Sequence, residues 1–452
     1  MNIAMFADTF IPDNNGVATS IQNTINYLSS KGHKVVIFAP GEGYSKKKIL
    51  GADVFTIKSD KSSLLLEYKC PKFVPKKIKE IFIKYKFDIV HVHTPFVIGW
   101  TGVLLAKSYN VPLVGTYHTN FDMLFDFYAK NKIIKIMKKV FLKSIKIFHE
   151  NCDILISPSK TQTRTLIKQG YKKLITISNP VDLSAYKKVK SMRKKLGIPE
   201  KAKVALYVGR ISKEKKISEL IKAFESIYKE DRYLVIGGKG PHLDYFRDFV
   251  NEKQIKNVIF SGYIAEKDIV KFYSSADVFV SMSDFETHGL TFIEAMACGI
   301  PCVGVNAGGV ADSIEHLKNG FLVKPNNSAE FGKKIEVLFE DKNLHSKMSS
   351  YALKSCDECS IENAGREIES LYMSASKYPV EKTSFVKFWE NVLLKSYTIP
   401  AEAKIIFVIA LMLAVLMLFN FTSSAISGDI NIETVLSLRV IKEVLSNIIS
   451  KI

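Results

Sequence analysis

The sequence predicts an α/β chain built from two doubly wound parallel domains, on three observations. Residues 2–40 read as strand, loop, helix and strand (NIAMFADTF, then IPDNNGVATSIQNTINYLSSKGHKVVIFAP), which is how a parallel βαβ sheet opens. The same order begins again at residue 204 with VALYVGRISKEKKISELIKAF. Several apolar runs end in glycine-bearing turns, and the carboxyl ends of the strands are where such sheets bind their ligands.

Taken in order, the loop 12–16 follows the first strand. Gly16, at the mouth of the helix, lets the backbone come close to a phosphate. Strands are expected at 88–93 (DIVHVH) and 111–117 (VPLVGTY), with a helix over 99–108 between them. His118 ends the second of these strands, either as a satisfied structural histidine or as a ligand-facing one in register with the Gly16 loop. His91 and His93 alternate with apolar residues, but no third metal ligand stands at a recognised spacing. Residues 130–148 carry seven lysines among Ile, Met, Val, Leu and Phe. They read as a basic amphipathic helix, lying on an anionic membrane surface or packed on its own sheet with a solvated lysine side. A strand at 153–158 and the exit SNPVDLSAY (178–186) close the first domain.

In the second domain Arg210 and Lys215 flank the first turn. Two cations there suit a diphosphate, Arg gripping as a fork and Lys as a point charge. YLVIGGKGP (233–241) is a strand ending in a glycine-rich turn, although GGKG falls short of a dinucleotide fingerprint. Strands follow at 258–264, 277–283 and 302–305, the last leading to Gly308 and Gly309, which can open the backbone to a ligand. Between the last two lies FETHGLTFIEAMACGIP (285–301), with Glu286 and Glu294 eight positions apart around a Gly-Leu-Thr corner. Residues 290–297 read as a helix with Phe292, Ile293 and Met296 inward, closed by Gly299 and Pro301. The N–H groups of Gly289, Leu290 and Thr291 stand at the helix start, where the macrodipole favours an anion. Glu286 is expected just outside that start and Glu294 about two turns along, each able to accept from hydroxyls beside the phosphates. The spacing equally fits a capped amphipathic helix with two solvated glutamates.

Composition narrows the class. Of 452 residues, 47% are hydrophobic and 24% charged, the balance of a globular protein long enough for two cores. The net charge is +19, and over residues 1–180 Lys and Arg outnumber Asp and Glu by 27 to 12. Such a half favours an anionic partner: nucleotide phosphates, nucleic acid or an acidic membrane. Nucleic acid is disfavoured, because the lysines lack interleaved aromatics or a known module. The six cysteines lack a framework spacing, and Cys356-Asp-Glu-Cys359 stands without a second pair or a nearby His in sequence, so reduced thiols are expected. The first ten residues enter a strand at once, so no signal peptide is expected.

The character changes after residue 377. Residues 405–428 contain no charge, and 24 residues at about 1.5 Å each span a hydrocarbon core of roughly 30 Å. A transmembrane segment is expected there, with a buried core helix as the alternative. Five lysines over 377–404 would keep the large domains cytoplasmic. The expected division is 1–183 and 184–358 for the two domains, 359–377 for a helix returning to the first, 378–404 for a linker, 405–428 for the membrane segment and 429–452 for an amphipathic tail.

The stretches MFADTFIPDNNGVATSI, GTYHT, YVGRISKEK and SADVFVSMSDFETHGLTFIEAMACG resemble the retaining family 4 glycosyltransferases of the GT-B type, with the two glutamates matching the E-x7-E signature. The resemblance runs over about residues 1–377 and is greatest to the 1,2-diacylglycerol 3-alpha-glucosyltransferases. It implies two facing Rossmann-like domains with a nucleotide diphosphate sugar in the cleft. It implies that Arg210 and Lys215 hold the diphosphate and that Glu294 holds the ribose hydroxyls. Glu286 would contact the donor sugar, aided by the backbone of Gly289, Leu290 and Thr291. His118 would reach the sugar, Gly16 would lie by the phosphates, and the base would rest by Gly262 and Tyr263. No metal and no cofactor is implied, in keeping with the lack of an Asp-x-Asp motif. Asn15 stands where many relatives have a second Gly, and the C-terminal apolar segment is not part of the common pattern.

The expected activity is therefore transfer of glucose from UDP-glucose to the 3-hydroxyl of diacylglycerol, with retention, at the cytosolic membrane face. The alternatives are the same chemistry on a phosphoinositide or a polyprenyl-linked glycan, or a membrane-tethered nucleotide-sugar-binding protein without catalysis.

Overall fold

The computed structural model describes residues 1–376 except 14, 62–68, 72–75 and 124–131. The expected segments 378–404, 405–428 and 429–452 lie outside the described residues. Among those described, no helix is long and apolar enough to cross a membrane.

The first domain is assembled on β1 (Asn2–Phe6), whose residues 3–6 are wholly buried, as a parallel strand covered on both faces requires. α1 (Gly16–Ser30) follows, begun by Asn15, whose side-chain carbonyl accepts from the Ala18 N–H. Asn15 is thus a working helix cap. Then come β2 (Lys34–Gly41), β3 (Ser45–Ile49), β4 (Ala52–Lys58) and the small ribbon of β5 (Asp60–Lys61) with β6 (Lys69–Cys70). α2 (Lys76–Tyr85), β7 (Ile89–Val92), α3 (Val97–Ser108), β8 (Leu113–Thr116), α4 (Lys132–Glu150), β9 (Ile154–Ser157), α5 (Lys160–Lys168) and β10 (Leu174–Thr176) complete it.

Sheet order is β10-β9-β8-β7-β1-β2-β4-β3, parallel throughout except for the edge pair β3–β4. That edge was not foreseen, because SKKKI presents three lysines and no apolar alternation. An edge strand has only one neighbour to satisfy and carries such charge readily. Within α4, Ile145 and Phe148 are buried, and Lys146 donates to the Gln169 carbonyl at 2.9 Å, so this part of the basic helix packs on its own sheet.

The second domain runs β11 (Lys203–Val208), α6 (Ile217–Glu225), β12 (Arg232–Gly237), α7 (Leu243–Glu252), β13 (Val258–Gly262), α8 (Glu266–Tyr273), β14 (Val278–Ser281), α9 (Leu290–Ala297), β15 (Cys302–Val305), α10 (Val310–Ser313), β16 (Gly320–Val323), α11 (Ser328–Glu340) and α12 (Lys342–Ser355). Its sheet is fully parallel in the order β13-β12-β11-β14-β15-β16. α13 (Ile361–Ala375) then packs on α1, placing Ile368, Leu371, Tyr372 and Ala375 in the core of the first domain. Tyr372 is completely buried, and burying one large side chain of this kind contributes about 1.5–3 kcal/mol.

Strand order locates the ligand sites. In each sheet the order reverses beside the first strand, between β1 and β7 in one and between β11 and β14 in the other. The crevice outside the carboxyl ends at such a switch point is where open α/β sheets bind ligands. The loops issuing there carry Gly16 and His93 in the first domain, and Arg210, Lys215 and Glu286 in the second.

Candidate active site

The second domain contributes the cations. After β11 the chain turns through Gly209 and Arg210, whose carbonyl accepts from the Tyr207 hydroxyl at 2.9 Å. The GGKG turn after β12 is glycine-rich because it lies directly on this turn. A Cβ on Gly238 would stand 1.8 Å from the Gly209 carbonyl oxygen, and one on Gly240 2.0 Å from that of Ile211. Past the short turn Lys213–Lys215, the Lys215 ammonium donates to Glu286 Oε1 at 2.7 Å. Lys216 beside it pairs with Asp284 at 2.5 Å and donates to Asn326 Oδ1 at 2.8 Å, tying this turn to the loop after β14.

That loop carries the glutamates. Gly309 donates its N–H to the Glu286 carbonyl at 2.7 Å, and a Cβ on Gly308 or Gly309 would come within 2.4 Å of the backbone at Glu286 or Thr287. The Gly308–Gly309 pair therefore makes room for the Glu286 loop, a packing role that its sequence does not announce. Gly289 opens α9 at φ +80°, a conformation that disfavours a side chain. Phe292, Ile293 and Met296 are buried as expected. Glu294 is the fifth residue of α9, a little over one turn in and not two. Its Oε2 accepts from the Tyr273 hydroxyl at 2.6 Å, and the Tyr186 phenol donates to the same carboxylate. Burial outweighs these donors and pushes the Glu294 pKa up to about 7. Gly262, at φ +72°, ends β13 and the half-exposed Tyr263 follows it, two strands beyond β11. At about 4.8 Å per strand the end of β13 stands roughly 10 Å from the end of β11. Lys239 lies over the Tyr263 ring at 5.2 Å.

The first domain faces this edge. His118 follows β8, its carbonyl accepting from Thr287 Oγ1 at 2.9 Å. Ser159 Oγ donates to the Thr287 carbonyl at 2.8 Å, and Asp312 accepts from both the N–H and the hydroxyl of Thr161 at 2.6 and 2.9 Å. A Cβ on Gly16 would meet Leu290 Cδ1 at 3.5 Å, so the first loop of one domain touches the Gly-Leu-Thr corner of the other. His118 Nε2 lies 3.1 Å from His93 Nδ1. His91, behind them, is satisfied by Tyr372 and Thr116 at 2.5 and 2.7 Å. Desolvation lowers all three histidines, His91 and His118 to about 3, so each is neutral near pH 7.

Among the described residues no three His, Cys, Asp or Glu side chains are grouped to hold a metal ion. Cys356 and Cys359 are free thiols, and the fold does bring a histidine to the latter, with His288 Nε2 at 3.8 Å from its Sγ. Gly16, His118, Lys215, Glu286, Gly289 and Leu290 are thus joined by direct contacts or adjacency, with Arg210, Thr291 and Glu294 on the same loops and helix. Gly262 and Tyr263 connect to the Arg210 turn through the GGKG turn, the Gly262 carbonyl accepting from the Gly238 N–H at 2.8 Å. Sequence reasoning missed Thr287, Tyr273, Tyr186 and the Lys216–Asp284 bridge, and weighed His93 only as a metal ligand. Thr287 stood inside the glutamate motif, but its partner is 169 residues away and nothing in local spacing announces it.

Comparison with known proteins gives two family models in tandem. Glycosyltransferase Family 4 matches residues 14–185, and Glycosyl transferases group 1 matches residues 188–355. An alpha-monoglucosyldiacylglycerol synthase of Streptococcus pneumoniae is 30% identical over 391 residues, covering 83% of this chain and 86% of that protein. The enzyme of the same name from Acholeplasma laidlawii is 28% identical, covering 82% and 97%. Among solved structures, a sucrose-phosphate synthase from Thermosynechococcus elongatus superimposes with a TM-score of 0.69 at 20% identity, over 83% of this chain and 99% of that one, which establishes the GT-B arrangement of two Rossmann-like domains.

Proposed function

The chain belongs to the glycosyltransferases with paired family 4 and group 1 domains, and from that premise we propose that it moves glucose from UDP-glucose to the 3-hydroxyl of diacylglycerol, with retention, at the cytosolic membrane face. Glycosyl transfer itself, within glycolipid synthesis, follows from the relatives. The donor, acceptor and stereochemistry are our reading. The observation that carries it is the Lys215–Glu286 pair, 2.7 Å apart at the switch point of the second sheet and linked through Thr287 to the His118 carbonyl of the first.

In this reading the diphosphate lies against Arg210 and Lys215 and the start of α9. Lys215 exchanges its contact with Glu286 for a phosphate oxygen, and Glu286 is released to a hydroxyl of the donor sugar. Glu294 accepts from the ribose hydroxyls, and the base extends toward Gly262 and Tyr263. Gly16 approaches the phosphates from the first domain and His118 the sugar. The acceptor oxygen forms its bond to the anomeric carbon on the face from which the diphosphate departs. The bond to the phosphate oxygen breaks and the acceptor's hydroxyl proton passes to that oxygen. Two fixed cations stabilise the charge that develops on the leaving group, and such preorganised charge is commonly the largest single contribution to rate. The two cations and the helix start supply this without a divalent ion or a cofactor. The uncharged stretch 405–428 is proposed as the membrane anchor, with the basic first domain facing an anionic surface.

The test is transfer of labelled sugar from UDP-glucose into organic-extractable lipid by the detergent-solubilised chain, with diacylglycerol and EDTA. Lys215→Ala is expected to lower the rate by about 100-fold or more. Absence of both labelled lipid and released UDP would remove this donor–acceptor pair; UDP release without labelled lipid would retain the donor and transfer the search to another acceptor. In carbonate extraction of whole membranes, the full chain is expected in the pellet and a chain ending at residue 377 in the supernatant. Equal partitioning of the two would exclude the anchor.

A further inference from the structure

His93 plays no part in the proposed transfer, yet it is 3% exposed and stands directly behind His118. β7 and β8 run side by side with Val92 opposite Gly115, so the residues just past their carboxyl ends, His93 and His118, meet at 3.1 Å between His93 Nδ1 and His118 Nε2. The rings are nearly parallel, 25° apart with centroids at 5.4 Å. Both are neutral, held so by desolvation. Each ring therefore has one N–H and one bare nitrogen, and only one of the two can donate in the shared hydrogen bond.

The other nitrogen of His93 decides which. His93 Nε2 is buried and finds no hydrogen-bond partner among the described residues. Were His118 the donor, His93 would have to carry its own proton on Nε2, as an orphaned buried N–H. Were His93 the donor, Nε2 would be an unpaired acceptor. Unsatisfied buried acceptors are tolerated more often than unsatisfied buried N–H groups.

We propose that His93 is a positioning residue that sets the tautomer of His118, donating from Nδ1 to His118 Nε2 so that His118 carries its proton on Nδ1 and presents an N–H to the donor sugar. The Thr287 hydroxyl on the His118 carbonyl fixes the backbone while His93 fixes the ring. The ring then offers a hydrogen-bond donor to a sugar oxygen without carrying charge. The sugar contact rests on the glycosyl-transfer reading above; the tautomer does not.

The two are separated by spectroscopy. In the full chain labelled with 15N-histidine, two-bond 1H–15N correlations distinguish the tautomers, and His118→Gln identifies the His118 signal by its loss. The expected result is the Nδ1–H form of His118 in the native protein, lost in His93→Phe and recovered in His93→Asn, whose amide can donate from the same position. Nε2–H in the native protein, or Nδ1–H persisting in His93→Phe, overturns the proposal. In the transfer assay, His93→Phe is expected to lower kcat by about tenfold or more with KM for UDP-glucose unchanged, and His93→Asn to restore most of it. Equal losses in the two variants would leave His93 a packing residue and refute its positioning role. Native protein that transfers no sugar but displays the Nδ1–H signal would count against the transfer reading alone.

Discussion

Glu294 sits in a buried setting whose desolvation raises its carboxyl pKa more than the two neighbouring phenols lower it. Its pKa, near 7, is raised above the ordinary carboxyl value chiefly by desolvation. The carboxylate that can accept from ribose hydroxyls predominates above that pH and is lost as pH falls through it. UDP-glucose, whose sugar-capped diphosphate does not titrate over this range, should therefore bind about tenfold more weakly at pH 6 than on the plateau above pH 8, measured by calorimetry. Glu294→Gln should bind weakly with no dependence over that range, and a flat native profile from 6 to 8 would refute the role. For folding the sign is opposite. A carboxyl whose folded pKa is raised favours the folded state below its ordinary value of 4.5, and that contribution disappears as pH rises through 7. The Glu294 position was legible from the E-x7-E spacing. Its ionisation was not, because Tyr186 and Tyr273 lie 108 and 21 residues away in sequence and only folding brings them to one carboxylate.

At the scale of elements, α13 shows how a C-terminal helix becomes part of the first domain. Gly365 lets it lie on α1, since a Cβ there would stand 2.4 Å from Cγ of Tyr27. Tyr27 in turn donates to Glu369 at 3.0 Å, and Glu369 also meets His33 at 2.7 Å. Gly365→Val should therefore cost about 1–3 kcal/mol by overpacking, read as a lower urea midpoint with an unchanged slope. An unaltered midpoint would mean that the helix contact is dispensable. Strands made of continuous apolar residues, such as NIAMF and VALYV, were legible because burial on both faces demands that composition. The edge strand SKKKI and the three-residue β10 were not, since a strand with one neighbour or one turn of pairing leaves little pattern.

For the molecule as a whole, the decisive contacts join the two domains. Asp312 of the second accepts twice from Thr161 at the start of α5 in the first, where its charge also complements the helix dipole. Asp312→Ala removes both bonds together. It should weaken UDP binding by about tenfold and raise the radius of gyration in small-angle scattering, whereas unchanged affinity and dimensions would show that closure does not depend on them. From the sequence alone came the fold class, both switch-point loops, the paired glutamates, the two cations and the family, because parallel strands, glycine turns and helix starts are local and leave periodic or short-range marks. Only the tertiary structure decided that Thr287 reaches the His118 backbone, that two tyrosines hold Glu294, that Gly308 and Gly309 serve the Glu286 loop, and that His93 stands behind His118. These depend on strand order and domain apposition, which bring together residues far apart in the chain, and no local pattern encodes that distance.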